Sequence, residues 1–114
     1  MHELQIACAL LTVAERHLPG GTAGVCGLRV AVGGATGVVP EALELAFQAV
    51  TVGTRFAGAR LTIDRLPGRS RCGACTAEFE FDGLLGECPV CGTCGGELLG
   101  GGELELRGIE VVHV

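Results

Sequence analysis

The sequence predicts an α+β fold in which two helices pack on a small three-stranded sheet and a lobe of two C-x-x-C knuckles is inserted before the last strand. Apolar residues recur at helical spacing in two segments and alternate with polar residues in three others. A cysteine-rich segment separates the last two alternating segments. At 114 residues, the chain has room for one hydrophobic core and a small metal-stapled lobe.

The first part of the chain predicts a helix and then a strand. Within residues 4–18, apolar side chains such as Ile6 and Leu10 follow helical spacing, and Pro19 with the two glycines after it ends the helix. Residues 28–32 alternate apolar and small or polar side chains up to a glycine pair. This alternation is typical of a half-buried strand.

The rest of the chain predicts one more helix and two more strands. Pro40 suits the first turn of a helix that runs to Gly53. Residues 59–66 alternate again and predict the second strand. Residues 103–112 predict the last strand, and we expect a bulge at Gly108, because the apolar phase shifts there.

This order of elements predicts two domains. Residues 1–67 and 103–114 are expected to form one α/β domain, since the last strand would rejoin the first sheet, and residues 68–102 are expected to form the cysteine lobe. The glycines at positions 95, 96 and 100–102 predict a hinge. A hinge would allow copies to exchange lobes, so both a monomer and a weak or domain-swapped homodimer are compatible with the sequence.

Charge and hydropathy exclude several classes of protein. All eight basic residues are Arg and the formal net charge is −5, which argues against binding to the phosphate backbone of nucleic acids. No uncharged stretch approaches the roughly 18 apolar residues that span a membrane, and no basic segment opens the chain. We expect an uncleaved cytoplasmic protein that binds neither nucleic acid nor membrane.

The cysteine lobe predicts a structural zinc site. Cys72, Cys75, Cys88 and Cys91 form two C-x-x-C pairs separated by twelve residues, close to the spacing of four-cysteine zinc sites. The histidines are distant in sequence, so four sulfurs are favoured and the lobe is zinc-ribbon-like. Such a closed site leaves no open position for a substrate, and its metal serves folding.

The sequence leaves several alternatives open for this cluster. Cys94 lies three residues after Cys91, so these two cysteines could pair instead. Iron in a rubredoxin-like site uses the same geometry as zinc, and a redox or disulfide pair is a further interpretation. Arg69 and Arg71 are expected to offset part of the negative charge of four thiolates around zinc.

The first three residues predict a second kind of metal site. Met1, His2 and Glu3 place an α-amine, a backbone amide and an imidazole in one chelating tripeptide, in which Glu3 can supply a fourth ligand. Square-planar nitrogen donors suit Ni²⁺ or Cu²⁺. A mobile terminus would permit exchange of the metal. The alternative is that His2 is simply a solvated side chain.

Several motifs together resemble one family of proteins. They are the start MHELQIACALL, residues 38–43 before Ala46 and Phe47, residues 59–61 before Pro67, the paired C-x-x-C motifs, and residues 102–104 before 109–111. Their order and spacing resemble the HypA/HybF family of hydrogenase and urease nickel-incorporation proteins, over nearly the whole chain.

The resemblance implies a nickel metallochaperone that catalyses no reaction. It implies that His2 is the essential nickel ligand beside the Met1 amine and Glu3, that nickel is bound transiently, and that the four paired cysteines hold structural zinc. The implied partners are a hydrogenase-maturation GTPase, the precursor of the [NiFe] hydrogenase large subunit and, in some organisms, urease accessory proteins.

The chain departs from the family at two cysteines. Cys8 stands where family members usually carry Glu, and it is expected to be a small buried residue rather than a nickel ligand; Cys94 is the other departure. Cys26 is expected to be a buried thiol before the first strand. His17 and His113 are expected to be ordinary surface or edge residues.

Two other functions compete with this interpretation. A zinc-ribbon module that binds nucleic acid or another protein is suggested by the cysteine spacing alone, although the acidic charge and the four aromatic residues, all Phe, oppose nucleic-acid binding. A thiol oxidoreductase would need a low-pKa cysteine at a helix start.

Overall fold

The computed structural model describes residues 2–83 and 87–113. Helix α1 spans His2–Arg16 and helix α2 spans Pro40–Thr51. The strands are β1 (Thr22–Gly33), β2 (Arg60–Leu66), β3 (Gly68–Cys72), β4 (Glu78–Phe81), β5 (Gly96–Gly100) and β6 (Leu104–His113). A 3₁₀ turn, Gly34–Thr36, follows β1. None of the helices in these ranges is long and apolar enough to cross a membrane.

The strands form two three-stranded sheets, in the orders β2-β1-β6 and β4-β3-β5. In the first sheet, the last strand of the chain lies beside β1, as the sequence predicts. The α+β class with two helices, a three-stranded sheet and an inserted cysteine lobe is therefore confirmed.

The second sheet corrects two details of the sequence analysis. Strand β2 ends at Leu66, as predicted, but only Pro67 separates it from β3, an additional strand that pairs antiparallel with both β4 and β5. The glycine segment expected to be a hinge contains β5. A side chain at Gly96 would collide with the Arg71 carbonyl, which shows that this glycine is required by close contact between backbones.

Local sequence explains both helices. Glu3 lies in the first turn of α1 and Arg16 in the last, where each charge is favourable to the helix dipole. Pro40 occupies the start of α2, where its missing N–H costs no helical hydrogen bond. Each helix buries one stripe of residues, which are Ala7, Leu10 and Ala14 in α1 and Leu43, Phe47 and Thr51 in α2.

A hydrophobic core joins the two helices to the first sheet. It contains Ala14, Val25, Leu28, Phe47 and Phe56. Leu106 and Ile109 both pack against this core. In a regular strand, residues three apart face opposite sides of the sheet, so the alternation of β6 shifts between these two residues, as the sequence predicts around Gly108. Phe56 lies in the turn after α2, and the periodicity gave no indication of its burial.

The chain divides into two compact units. The first contains Met1–Val30, Val39–Asp64 and Glu105–Val114, and the second contains Ala31–Val38 and Arg65–Leu104. The second unit takes in residues 31–38, which the boundaries expected from the sequence assign to the other domain.

Candidate metal centres

Four sulfur atoms converge within the second unit. The Sγ atoms of Cys72, Cys75, Cys88 and Cys91 all lie within 4.8 Å of one another. The Sγ–Sγ distance is 3.5 Å both between Cys72 and Cys91 and between Cys75 and Cys88. In a tetrahedron with zinc–sulfur bonds of about 2.3 Å, two sulfurs are about 3.8 Å apart. The cluster therefore fits a four-cysteine zinc site.

The first knuckle starts at Cys72, the last residue of β3. The backbone amides of Ala74 and Cys75 donate hydrogen bonds to the Cys72 Sγ at 3.4 and 3.5 Å. The amide of Thr76 donates to the Cys72 carbonyl at 3.1 Å, and Thr76 adopts a left-handed conformation with φ of 62°. This tight turn directs two backbone amides at one sulfur.

The second knuckle repeats this plan around Cys88. The amide of Gly92 donates to the Cys88 carbonyl at 2.8 Å, and Gly92 has φ of +76°. Gly92 follows Cys88 by four residues, as Thr76 follows Cys72, so the two left-handed residues are equivalent. The Cys88 amide in turn donates to the Thr93 carbonyl at 3.0 Å. Two matching turns thus present two sulfurs each.

Cys75 and Cys91 differ in how readily their thiols lose a proton. The pKa of Cys91 is lowered to about 6, first because the Thr93 hydroxyl and then the Thr93 amide hydrogen-bond to its sulfur. A hydrogen bond from the Ala77 amide lowers the pKa of Cys75, but its bonds with neighbouring thiols, Cys88 first, and burial raise it to about 12. A bound divalent metal would replace the remaining protons of such a cluster.

Cys94 is not part of the cluster of four sulfurs. Cys94 is exposed and forms an isolated antiparallel bridge with Glu87. In the structure, Cys91 rather than Cys94 completes the group of sulfurs.

Two other cysteines differ from the sequence expectation. Cys26 lies within β1 and is exposed, so the expectation of a buried thiol before the first strand was wrong. Cys8 is also exposed, because the buried stripe of α1 passes through Ala7 and leaves the next residue on another face.

The arginines before the first knuckle engage carboxylates. Arg69 Nη2 lies 3.3 Å from a Glu78 carboxylate oxygen, and Arg71 lies 3.5 Å from Glu78 and 3.1 Å from Glu97. These cross-strand ion pairs tie β3 to β4 and β5. Because these glutamates neutralise part of the arginine charge, Arg69 and Arg71 offset less of the thiolate charge than the sequence analysis expects.

The second candidate centre lies at the start of α1 in the first unit. The His2 side chain is 56% exposed, and its Nδ1 lies 3.4 Å from the Glu3 Oε2. The Val39 amide donates a hydrogen bond to the same oxygen at 3.5 Å. The pKa of Glu3 is lowered, chiefly by a hydrogen bond from its own backbone amide, with burial opposing and the Val39 amide and His2 assisting.

This arrangement alters one sequence expectation. His2 is the first residue of α1 rather than part of a mobile terminus. The amides at a helix start have no intrahelical acceptor, so the His2 amide is available for a metal without breaking the helix. Met1 lies outside the described residues.

The remaining histidines are His17 and His113. His17 is exposed just after α1, and its Nδ1 lies 2.8 Å from the Val13 carbonyl. His113 ends β6, and its side chain lies outside the described part of the chain. Among the described residues, His17 does not belong to a metal-binding cluster.

Sequence reasoning missed the residues that surround the two centres. Thr93 hydrogen-bonds to the Cys91 sulfur, and its only sequence signal was its position two residues after a C-x-x-C pair. Val39 acts through its backbone amide, so its side chain carried no signal at all.

Comparisons with known proteins find relatives over nearly the whole chain. The family described as "Hydrogenase/urease nickel incorporation, metallochaperone, hypA" matches residues 1–111. Among relatives called hydrogenase maturation factor HypA, that of Geobacter sulfurreducens is 39% identical and covers 97% of this chain and 99% of its own. That of Deinococcus radiodurans is 47% identical and covers 93% and 89%.

Solved structures show the same fold. The solution structure of the Ni metallochaperone HypA from Helicobacter pylori has a TM-score of 0.63 and 18% identity, and the match covers 98% of both chains. A second solution structure, of a HypA protein, has a TM-score of 0.62 and 21% identity over 98% and 97% of the chains.

Proposed function

The chain belongs to the HypA family of hydrogenase and urease nickel-incorporation proteins, and we propose that it delivers Ni²⁺ to the large subunit of a [NiFe] hydrogenase in the cytoplasm. It acts as a binding and transfer protein rather than an enzyme. The observation that carries this proposal is the exposed His2 imidazole at the start of α1, beside a carboxylate that Val39 holds in place.

We propose that His2 binds nickel through its Nδ1 and its backbone amide, with the Met1 amine as a third nitrogen. Planar nitrogen donors suit Ni²⁺. Glu3 supplies the fourth ligand, through its carboxylate or its amide. Support comes from the 3.4 Å between His2 Nδ1 and Glu3 Oε2, which places a carboxylate oxygen next to the imidazole. Exposure of His2 allows a partner to take the metal.

We propose that Cys72, Cys75, Cys88 and Cys91 hold a structural zinc ion. The sulfur spacing and the amide-to-sulfur hydrogen bonds of the first knuckle support this set. All four positions of a tetrahedral ion would be filled, so the metal would have no open site for chemistry. Binding would supply folding free energy to a unit whose described residues include few large buried side chains.

The partners in this proposal follow from the family. They are a hydrogenase-maturation GTPase and the precursor of the hydrogenase large subunit. Nickel delivery to urease, through urease accessory proteins, is a second proposed role, because the family description includes urease.

A complementation experiment tests this function. A strain of the source organism that lacks the chain is supplied with the wild-type protein, the His2→Ala variant or the His17→Ala variant, and nickel in the immunopurified hydrogenase large subunit is measured. We expect wild type and His17→Ala to restore nickel, and His2→Ala to fail. Full nickel loading by His2→Ala would overturn the proposal. Urease activity in the same strains tests the second destination.

A further inference from the structure

A depression of about 500 Å³ lies on the first sheet and is lined by residues of all three of its strands. Arg60 and Thr62 come from β2, Cys26 and Gly27 from β1, and Glu110 from β6. All of these residues belong to the first unit, and none is a residue of either proposed metal centre.

Glycine creates the space at the centre of this depression. A Cβ atom on Gly27 would lie 3.6 Å from the Arg60 carbonyl oxygen on one side and 3.5 Å from the Glu110 carboxyl carbon on the other. Arg60, Gly27 and Glu110 therefore form a row across the sheet, with the glycine in the middle. Since adjacent strands are about 4.8 Å apart, the two outer backbones are separated by roughly 10 Å.

The two ends of the row carry opposite charges that are not paired. Within the described ranges, neither the Arg60 guanidinium nor the Glu110 carboxylate forms an ion pair or a side-chain hydrogen bond. The neighbouring Arg29, in contrast, is bound to Asp64 at 2.7 and 3.1 Å. A cation and an anion thus face one depression from opposite strands without neutralising each other.

We propose that this depression binds a short zwitterionic peptide, with the ligand's carboxylate at Arg60 and its ammonium group at Glu110. A planar guanidinium binds a carboxylate through two hydrogen bonds, and a carboxylate accepts from an ammonium group. Because Gly27 has no side chain, the Glu110 carboxyl group lies over the middle strand, where it faces the depression. The Thr62 hydroxyl adds a polar group to the wall. The proposal is independent of nickel and zinc.

The test is a titration of ¹⁵N-labelled, zinc-loaded protein with diglycine, followed by amide chemical shifts. N-acetyl-diglycine lacks the ammonium group, and diglycine amide lacks the carboxylate, so each removes one proposed contact. Glycine and tetraglycine test whether length matters. We expect diglycine to shift the amides around Gly27, Arg60 and Glu110, and each blocked peptide to bind roughly fivefold more weakly, as expected for loss of one exposed ion pair.

Variants of the protein test whether Arg60 binds the ligand's carboxylate and Glu110 its ammonium group. Arg60→Gln should bind diglycine and diglycine amide equally, because the carboxylate contact is already lost. Glu110→Gln should likewise bind diglycine and the acetylated peptide equally. Gly27→Leu fills the floor and should abolish all shifts, with zinc content and circular dichroism showing that the chain still folds.

Chemical labelling provides a second readout in the same protein. Cys26 lines the depression, whereas the exposed Cys8 and Cys94 do not. Saturating diglycine should slow alkylation of Cys26 and leave the other two rates unchanged. Millimolar diglycine that shifts no amide of the depression, or equal binding of all three peptides to wild type, would overturn the proposal. Preferred binding of glycine or tetraglycine would refute a site of dipeptide length.

Discussion

The backbone amide of Val39 donates a hydrogen bond to the Glu3 carboxylate, with 3.5 Å between the nitrogen and Oε2. The two residues are 36 positions apart, at the starts of α2 and α1 respectively. The same carboxylate oxygen lies 3.4 Å from the His2 imidazole. Packing of the two helices thus holds in place the side chain beside the proposed nickel ligand.

Replacement of His2 by Ala should abolish stoichiometric nickel binding, because it removes the imidazole while the rest of α1 stays intact. Isothermal titration of untagged protein that begins with a native Met1 measures this. His17→Ala is the matched control, since His17 is also exposed near α1 but lies at its opposite end. Zinc content and circular dichroism should match wild type in both variants. An unchanged nickel isotherm for His2→Ala would refute imidazole ligation.

Replacement of Glu3 by Ala should weaken nickel binding by roughly tenfold, because partners that orient a ligand contribute about this much to metal affinity. Glu3→Gln retains an acceptor for the Val39 amide and should lose less. Glu41→Ala, an exposed acid near the start of α2, is the control and should bind nickel as wild type does. Equal affinities of Glu3→Ala and wild type would show that the Glu3 carboxylate neither binds nor positions the metal.

Nickel affinity should fall as the pH drops from about 8 to about 5.5, because a proton competes with the metal for imidazole nitrogen. The pKa of Glu3 lies below its usual value of 4.5, so this carboxyl remains ionised throughout the range and does not contribute to the loss. Titrations of wild type and Glu3→Gln should therefore decline in parallel with pH. A flat wild-type affinity, or a loss confined to wild type, would contradict this prediction.

Replacement of Cys72 by Ser should remove zinc and unfold the second unit, since a structural zinc site supplies about 10 to 16 kcal/mol of apparent binding free energy. Atomic emission counts zinc per chain, and amide chemical shifts report the fold. Cys94→Ser is the control, because this exposed thiol is outside the sulfur cluster, and it should retain one zinc ion. Loss of zinc from Cys94→Ser would instead assign Cys94 as a ligand.

Replacement of Gly101 by Ala should destabilise the second unit more than replacement of Gly95. Both glycines have positive φ, of +87° and +98°, so each substitution carries a left-handed penalty of about 1 to 2 kcal/mol. A Cβ on Gly101 would also collide with the backbone at Gly68, whereas nothing lies within 4 Å of one on Gly95. Overpacking adds about 1 to 3 kcal/mol. Denaturant unfolding of zinc-loaded protein compares the two, and equal losses would show that the backbone relaxes.

Much of the fold and the four-cysteine cluster could be predicted from the sequence. Helical spacing and alternation predicted the helices and the first sheet, because each periodicity is a local property of the chain. The C-x-x-C pairs predicted the four cysteines that the structure brings together, since the ligand spacing is also local. The chelating tripeptide at Met1, His2 and Glu3 was likewise visible in consecutive residues and stays a proposal.

Other features depended on tertiary structure. Strands β3 and β5 were missed because glycines required for close backbone contact look like hinge glycines in a sequence. The hydrogen bond from Val39 to Glu3 involves a backbone amide, which every residue except proline carries, so no side-chain pattern predicts it. The row of Arg60, Gly27 and Glu110 arises only when three distant strands align. Local chemistry was therefore determined by the sequence itself, while contacts between distant backbones were decided by packing.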